Sequence, residues 1–502
     1  MKKAIVLFAA AALAAAESLA FSRMDACAGS APWLYEVAIS KAAAADPAWL
    51  SVANALSAKY SKPPFRSTIA IISDFKDAAR RLGKDSPRYV AFVLKPEEAG
   101  AKTVFALHAL MKSLDGDPYY DAVWGIVTGP TANDAMRVAK ASPVHPRRAL
   151  GTTGFDMRPF DAATIVSDGY APGSKKEDYG RPDKPLAVHE KRSAASKAKT
   201  RIVRGDSTME FADAWKTLDP ELLVTSAHAS QRNLEMPFSA GNIVPRKGRL
   251  CTLPGKHLID YSTGQAKKSA RAHAAGQPLA APKRDKIWIA AGNCLIGDYI
   301  DNDSMAAAMI GYGRVVQFMG YVKTTWFGEI GWETLAQFME RGATAAEAWY
   351  FAGQNLERKL AAMDTRRRDM TLAGRVWDRD GTAFWGDPAL DARLEDKRAK
   401  PKARLSARRT KAGIALEFAA LENIAGGEDK IGEVHVVHPF GVILPRANAP
   451  YRVLDAKGLG ILAADDFALV HSWPDMKAGE KKTVIIVSPL QSGEPEAVTS
   501  RP

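Results

Sequence analysis

Strand-like and helix-like segments alternate from Ser67 to Ala141, and this alternation restricts the possible fold more than any other feature of the chain. A strand followed by a helix and a second strand makes a right-handed crossover, which places parallel strands in one sheet with helices on both faces. The sequence therefore predicts an α/β fold. The strand-like segments are 69–73, 89–94 and 122–128, and the helix-like segments are 76–82, 104–114 and 132–140.

The same pattern resumes after an excursion. Residues 142–208 are rich in Pro, Gly, Lys and Ser with little periodicity, which predicts loops. Strand-like runs then follow at 222–226, 287–291 and 315–319, and 344–362 is a long helix candidate. The first two runs lie in stretches without any Asp, Glu, Lys or Arg, as expected for strands that are covered on both faces.

The sequence changes character after Asp391. A basic stretch leads to the strand-like runs 413–418, 433–437, 467–471 and 482–487, with no convincing helix between them. Several short strands without helices are typical of an all-β sandwich. We therefore expect a β-domain after the α/β part.

The N-terminus has the features of a Sec-type signal peptide at residues 1–20. Lys2 and Lys3 precede the apolar stretch 4–16, and Ser18-Leu19-Ala20 is a small-x-small cleavage site. No later segment reaches the roughly 18 apolar residues that a membrane span requires. The sequence predicts an exported protein of the periplasm, outer surface or extracellular space, without a transmembrane segment.

The net charge of +13 does not by itself indicate nucleic-acid binding. The basic residues cluster in the loop-like segments 175–201, 246–284 and 393–411, where such runs are typical of solvated surface. Neither a P-loop, nor a Gly-x-Gly-x-x-Gly after a strand, nor a Gly-x-Ser-x-Gly elbow occurs. We expect no nucleic-acid partner; polyanion binding is a weaker alternative whose affinity would fall steeply with salt.

Two uncharged strands end in residues that can carry chemistry. The run 222–226 leads into His228, and the run 287–291 leads into Cys294. Sites in parallel α/β sheets form beyond the carboxyl ends of the strands. If the two strands are neighbours, the imidazole and the thiol meet at one edge of the sheet.

This pair of side chains suits nucleophilic catalysis. A thiolate attacks a carbonyl, and a nearby imidazole can lower the pKa of the thiol and later protonate the leaving amine. Gly292 and Gly297 allow close backbone approach, so that peptide N–H groups of Cys294 and Ala229 can form an oxyanion hole. The simpler interpretation of a lone cysteine after an apolar strand is packing. Cys294 stays free if Cys27 pairs with Cys251.

Together with the segments 313–321 and 385–390, these two strands resemble the gingipain-type cysteine peptidases of the caspase clan. The second segment reads Trp-Gly-Asp-Pro-Ala-Leu, and a Gly-Asp-Pro-[Ser/Ala]-Leu segment commonly closes the catalytic domain of that family. The resemblance implies Cys294 as nucleophile, His228 as general base and an immunoglobulin-like C-terminal domain. Ala229 stands where the family usually has glycine.

Several acidic and aromatic residues complete the list of candidates. Glu235 and Asp168 are candidates to orient His228. Asp298, Asp301 and Asp303 follow Cys294 closely, and with Trp326 they can line a specificity pocket. The three carboxylates can also hold Ca²⁺ or occupy the positive end of a helix. No other metal or cofactor is expected.

The sequence therefore predicts a caspase/gingipain-like α/β sheet followed by an immunoglobulin-like sandwich. The predicted function is that of an exported cysteine-type endopeptidase acting on protein or peptide substrates. The alternative is an inactive peptidase-like envelope protein that binds peptide or polysaccharide. The expected parts are the signal peptide 1–20, an N-terminal α/β subdomain 21–205 with a long excursion, a catalytic subdomain 206–390, a basic linker 391–410 and a β-sandwich 411–502.

Overall fold

The structure is a computed structural model, and it describes eleven segments of the chain that divide into two compact units. The larger unit spans Pro32–Met339 and Thr344–Ala399, and the smaller contains Glu340–Ala343 and the described residues from Lys400 onward. The described segments are 32–170, 186–203, 207–236, 241–253, 259–260, 265–266, 276–290, 292–325, 328–363, 370–430 and 437–488.

The larger unit contains eighteen strands and eleven helices among the described residues. The strands are β1 (Trp33–Ser40), β2 (Phe65–Ile72), β3 (Tyr89–Val93), β4 (Val123–Val127), β5 (Arg148–Gly151), β6 (Ala162–Tyr170), β7 (Leu186–Lys191), β8 (Lys199–Val203), β9 (Leu222–Val224), β10 (Ala229–Ser230), β11 (Asn233–Glu235), β12 (Asn242–Arg246), β13 (Arg249–Leu253), β14 (Ile259–Asp260), β15 (Gln265–Ala266), β16 (Lys286–Ala290), β17 (Val315–Tyr321) and β18 (Thr382–Gly386). The helices are α1 (Lys41–Ala44), α2 (Pro47–Lys59), α3 (Phe75–Asp85), α4 (Ala101–Met111), α5 (Ala132–Ala139), α6 (Thr208–Leu218), α7 (Met305–Gly311), α8 (Trp332–Glu340), α9 (Ala345–Ala361), α10 (Met370–Asp380) and α11 (Asp396–Ala399).

Twelve of these strands form one sheet in the order β2-β1-β3-β4-β18-β17-β16-β9-β5-β6-β7-β8. Neighbouring strands are parallel except at β18/β17, β6/β7 and β7/β8. The antiparallel pair β18/β17 divides the sheet into two parallel halves that run in opposite directions. Every residue of β3, β4, β16, β17 and β18 is buried, so both faces of the sheet centre are covered. The predicted mostly parallel α/β sheet is confirmed, and it holds strands from both predicted α/β subdomains.

The alternation that the sequence shows between Ser67 and Ala141 is confirmed as β2-α3-β3-α4-β4-α5. Side-chain caps start the helices where the pattern predicts them. The Asp74 carboxylate accepts from the Asp77 N–H at the start of α3, and Thr131 and Thr344 form capping boxes that start α5 and α9. These caps satisfy backbone N–H groups that have no partner within the helix.

The segment 142–208, predicted as loops, supplies four strands of the sheet instead. β5 and β6 extend the second parallel half, and β7 and β8 continue it as an antiparallel ribbon. β8 is largely exposed, so it needs no apolar face. The sequence of β8 therefore predicts a loop, because it lacks the alternation of apolar and polar residues that indicates a half-buried strand.

The segment after β18 ties the first parallel half together through Asp387. This fully buried carboxylate accepts hydrogen bonds from the Tyr35 hydroxyl (2.9 Å) and the Tyr60 hydroxyl (2.7 Å), and it pairs with Lys59 Nζ at 2.9 Å. The Ala389 N–H also donates to it (3.1 Å). The Gly-Asp-Pro-Ala-Leu motif thus joins β18 to β1 and α2.

The smaller unit consists of two antiparallel sheets that share one apolar core. One sheet has the order β19-β20-β26-β23, and in the other β25 pairs with β21, β22 and β24. Leu416 and Val484 of the first sheet and Phe440 and Val470 of the second lie in the same core cluster. The strands are β19 (Ala403–Thr410), β20 (Gly413–Ala420), β21 (Gly427–Glu428), β22 (Phe440–Ile443), β23 (Arg452–Val453), β24 (Gly460–Ala463), β25 (Phe467–Trp473) and β26 (Lys481–Val487).

Residues 403–410, which the sequence places in a basic linker, form β19. Ala403 and Leu405 are buried, and Arg408 and Arg409 are exposed. The two arginines interrupt the alternation of apolar and polar residues, so the sequence pattern does not indicate a strand here. The predicted strand at 433–437 lies almost entirely outside the described residues.

In the part of the chain that the structure describes, no helix is both long and apolar enough to cross a membrane. The predicted signal peptide and Cys27 lie outside the described residues.

Candidate functional site

The strands that lead to His228 and Cys294 are parallel neighbours, so the condition under which the two residues meet at one edge is fulfilled for the strands. Leu223 of β9 is in register with Trp288 of β16, and the Thr225 N–H donates to the Ile289 carbonyl (3.0 Å) just beyond the end of β9. Parallel neighbours have their carboxyl ends at the same edge. The two loops therefore leave the sheet side by side.

Asn293 links these two loops through its buried side chain. Its Nδ2 donates to the Ala227 carbonyl at 2.6 Å, so the residue before Cys294 directly contacts the residue before His228. Its Oδ1 accepts from the Thr225 hydroxyl (2.6 Å), and this hydroxyl accepts from Trp288 Nε1 (2.9 Å). Buried networks in which each group has a partner fix one arrangement of the backbone. Asn293 thus holds the two loops in a fixed relation.

Gly292 permits the close approach of the loops. Its φ of +99° is unfavourable for residues with a side chain, and a Cβ atom there would lie 2.5 Å from the Ser226 hydroxyl oxygen. The close approach of backbone to backbone that the sequence predicts is seen at Gly297, where a Cβ atom would lie 2.7 Å from the Gly320 carbonyl oxygen.

Backbone strain is present directly after Cys294. Leu295 has a φ of +60°, a left-handed conformation that is rare for bulky residues. Its N–H donates to the Lys323 carbonyl (3.1 Å), and the Gly297 N–H donates to the Tyr321 carbonyl (2.9 Å). These two bonds to the end of β17 hold the turn in place. Backbone strain of this kind clusters at functional sites.

The Cys294 thiol is half-buried, and its surroundings favour the protonated form. Burial raises the pKa of Cys294 above the usual thiol value, and the charge of Asp378 raises it further. The hydrogen bond from the Thr325 N–H lowers the pKa only in part. The Thr325 hydroxyl in turn donates to the Asp378 carboxylate at 3.1 Å. The sequence-based expectation of a lowered thiol pKa is thus not met in the free protein, because burial disfavours the thiolate.

This environment predicts slow alkylation of Cys294. At pH 7 we expect iodoacetamide to modify Cys294 more slowly than it modifies the same residue in the urea-unfolded chain, because the folded protein holds less thiolate. The rate should rise only at a pH above the range of an ordinary thiol. Mass spectrometry of quenched samples measures both rates at one residue. Faster modification in the folded protein at pH 7 would contradict the raised pKa.

His228 lies at the start of a β-hairpin that also contains Ala229 and Glu235. Ala229 pairs with Leu234, and the Glu235 N–H donates to the His228 carbonyl at 3.0 Å. Glu235 is therefore directly opposite His228, and side chains of opposed residues lie on the same face of an antiparallel pair. His228 is exposed and Glu235 is buried.

The same hairpin geometry orients the peptide N–H of Ala229. The bond between Glu235 and His228 makes Ala229 and Leu234 a non-hydrogen-bonded pair, in which backbone polar groups point away from the partner strand. β10 is an edge strand of its four-stranded sheet. The Ala229 N–H thus points away from β11, as an oxyanion donor would need to.

Asp168, the other candidate to orient His228, lies on β6. β5 separates β6 from β9, so the two strands are about 10 Å apart at an ordinary spacing of about 4.8 Å. Asp168 lies three residues beyond the Gly151–Ile165 pair, at the same edge of the sheet. Asp168 is therefore farther from His228 than Glu235, which lies directly opposite His228 in the hairpin.

The acidic residues after Cys294 have protein partners. The Asp298 carboxylate is nearly buried, and it accepts from the Ala101 N–H at the start of α4 (3.0 Å) and from Gln231 Nε2 (3.1 Å). Asp301 forms an ion pair with Arg232. Asp298 thus caps a helix, as the helix-end alternative anticipates, although the helix is α4 and not the one that follows in sequence.

Asp303 and Trp326 are the remaining candidates for the specificity pocket. Asp303 accepts from the Gly248 N–H at 3.3 Å. Trp326 lies outside the described residues.

Sequence inspection does not single out Asn293, Thr325 or Asp378. Asn293 is adjacent to Cys294. A polar amide within an otherwise apolar and uncharged stretch is the feature by which it could have been selected from the sequence. The Thr325 N–H, which follows β17, donates to the thiol, and Asp378 of α10 acts on it through its charge. No spacing in the sequence indicates their proximity.

No family model and no curated protein matches the chain. A solved structure described as "Structure of Protease" is 11% identical to this chain and covers 91% of it and 98% of its own length, with a TM-score of 0.37. At this TM-score the likeness does not establish a shared fold.

Proposed function

We propose that the protein is a cysteine-type endopeptidase in which Cys294 is the nucleophile and His228 the general base. The observation that carries the proposal is the 2.6 Å bond between Asn293 and the Ala227 carbonyl, which places the residues before Cys294 and His228 in contact at one edge of the sheet. The strained turn at Leu295 supports it.

Catalysis in this site starts from a neutral thiol. His228 accepts the thiol proton as the sulfur attacks the carbonyl carbon of the scissile peptide bond, and the oxygen takes the negative charge. The N–H groups of Cys294 and Ala229 bind this oxyanion. The imidazolium then protonates the departing amine as the carbon–nitrogen bond breaks. A water molecule, deprotonated by His228, hydrolyses the thioester and regenerates the thiol.

The proposed family, location and substrates rest on the sequence alone. The resemblance to gingipain-type peptidases implies a caspase-like α/β domain and an immunoglobulin-like C-terminal domain. The signal-peptide features imply export to the periplasm, outer surface or extracellular space, where the substrates would be proteins or peptides.

One observation favours the second candidate, an inactive peptidase-like envelope protein that binds peptide or polysaccharide. Burial and the charge of Asp378 raise the pKa of Cys294, as in a cysteine retained for packing. In the peptidase this is the resting state, and His228 removes the thiol proton once substrate is bound. In the binding protein no such step occurs.

Labelling with peptide acyloxymethyl ketones of varied side chains separates the two functions. The peptidase should be modified at Cys294 at neutral pH, and His228→Ala should abolish the modification because the base is missing. Mass spectrometry of the labelled protein identifies the residue.

Cys251→Ser is the matched control for this labelling. Cys251 is buried on β13, so its replacement should leave the labelling of Cys294 unchanged. Equal labelling of the wild type and of His228→Ala, or none at all in the wild type, would refute the peptidase and favour the binding protein.

A further inference from the structure

One outer strand of the large sheet lacks most of the features that usually prevent edge-to-edge pairing, and its single charge, Arg66, lies near its start. β2 pairs with β1 over eight consecutive residues without a bulge, and within the described part of the chain it is the terminal strand of the sheet. Residues 67–73 contain neither a charge nor a proline. Natural sheets generally protect their edges with lysines, prolines, bulges or short strands.

Apolar side chains are exposed on this strand. Ile69 is 37% exposed and Ile71 is 50% exposed, and both lie on one face because side chains alternate along a strand. α2 reaches this face at Ser67, whose hydroxyl donates to the Ser57 carbonyl at 2.6 Å. The face beyond Ser67 exposes both isoleucines.

The opposite edge of the sheet is protected. β8 is five residues long and carries Lys199 and Arg201, and Arg201 is held by Glu190 and Glu210. Ile202 on this strand is 49% exposed, which is close to the value for Ile71. The two edges therefore differ in charge and length more than in apolar exposure.

We propose that β2 pairs antiparallel with β2 of a second copy of this chain, so that two sheets join across a twofold axis. A register with Ala70 opposite Ala70 places Ile69 of each copy opposite Ile71 of the other. The four isoleucines then form one apolar cluster on the exposed face. Continued two residues past the end of β2, the same register brings Arg66 of each copy near Asp74, the capping residue of α3, in the other copy, and both residues are exposed.

This self-complementarity favours a second copy over an unrelated peptide. A twofold interface requires that one surface matches itself. The apolar residues of β2 and the charges that flank them do so, and the outer backbone groups of β2, which pair with no other strand in the described part of the chain, supply the hydrogen bonds.

Sedimentation equilibrium of the full chain tests the proposal with one variant at each edge. The wild type should sediment with twice the mass of one chain. Ile71→Lys should weaken the dimer at least about a hundredfold, because two lysines would enter the isoleucine cluster. Ile202→Lys adds the same charge at an equally exposed position of β8 and should leave the dimer intact. Circular dichroism verifies that both variants fold.

Three outcomes would overturn the proposal. If the wild type stays monomeric at the highest soluble concentration, β2 does not pair with a second copy, and an extended segment of another protein is then the alternative partner. A dimer that Ile71→Lys does not weaken forms elsewhere. Loss of assembly in both variants indicates head-to-tail pairing of β2 with β8, which does not close.

Discussion

Replacement of Asp387 by asparagine is expected to lower the free energy of unfolding of the larger unit by about 3 kcal/mol, near the lower end for breaking a buried ion pair. The carboxylate is fully buried and accepts from two tyrosines, the Ala389 N–H and Lys59. Whichever way the amide is oriented, its NH₂ group faces a donor that cannot accept, either the Lys59 ammonium or the Ala389 N–H. Lys59 keeps a quarter of its side-chain surface exposed, so water reduces the cost.

Asp213→Asn is the matched control for this substitution. Asp213 is an exposed carboxylate on α6 of the same unit, so its replacement should change the free energy of unfolding by less than about 0.5 kcal/mol. Urea titrations followed by tryptophan fluorescence measure both variants. Equal midpoints for Asp387→Asn and the wild type would show that the Asp387 network does not stabilise the unit.

The Asp387 network illustrates what the sequence does and does not predict. The Gly-Asp-Pro-Ala-Leu motif is visible in the sequence, and by resemblance it marks the end of the α/β domain. That its carboxylate binds Lys59 and two tyrosines more than 300 residues earlier depends on β18 inserting beside β4, and no local pattern indicates this long-range pairing. Local periodicity predicts elements, whereas the order of strands in a sheet is a long-range property.

β1 shows a second way in which the sequence conceals a strand. Glu36 lies in the middle of β1 and is almost fully buried, and burial raises its pKa to about 7. A carboxyl group within an apolar run argues against a central strand, because buried charges are costly. β3 and β4 lack such a residue and are predicted correctly.

The candidate site is predicted in part for the same reason. Position at a strand end depends on one strand and its loop, so His228 and Cys294 could be selected from sequence alone. The thiol environment depends on Thr325 and Asp378, which other elements of the sheet supply. The sequence therefore predicts the positions of these two side chains at the sheet edge better than it predicts the surroundings of the thiol.

The largest effect on activity is expected from His228→Ala, which should lower kcat/KM for peptide hydrolysis about a thousandfold. The raised pKa of Cys294 makes the base more important, because little thiolate forms without it. Glu235→Gln should lower kcat about tenfold to a hundredfold with little change in KM, since a slightly misplaced base impairs only proton transfer. The physical basis is the position of Glu235 directly opposite His228 in the hairpin.

Asp168→Asn provides the comparison that decides between the two candidate orienting residues. Asp168 lies on β6, two strands away from β9, so its replacement should leave kcat and KM close to the wild-type values. Steady-state kinetics on a peptide that the wild type cleaves, together with a urea titration of each variant, separates a loss of proton transfer from a loss of folding. If Asp168→Asn lowers kcat and Glu235→Gln does not, then the residue across the hairpin does not orient His228. The imidazole would in that case turn toward β5 and β6 when substrate binds.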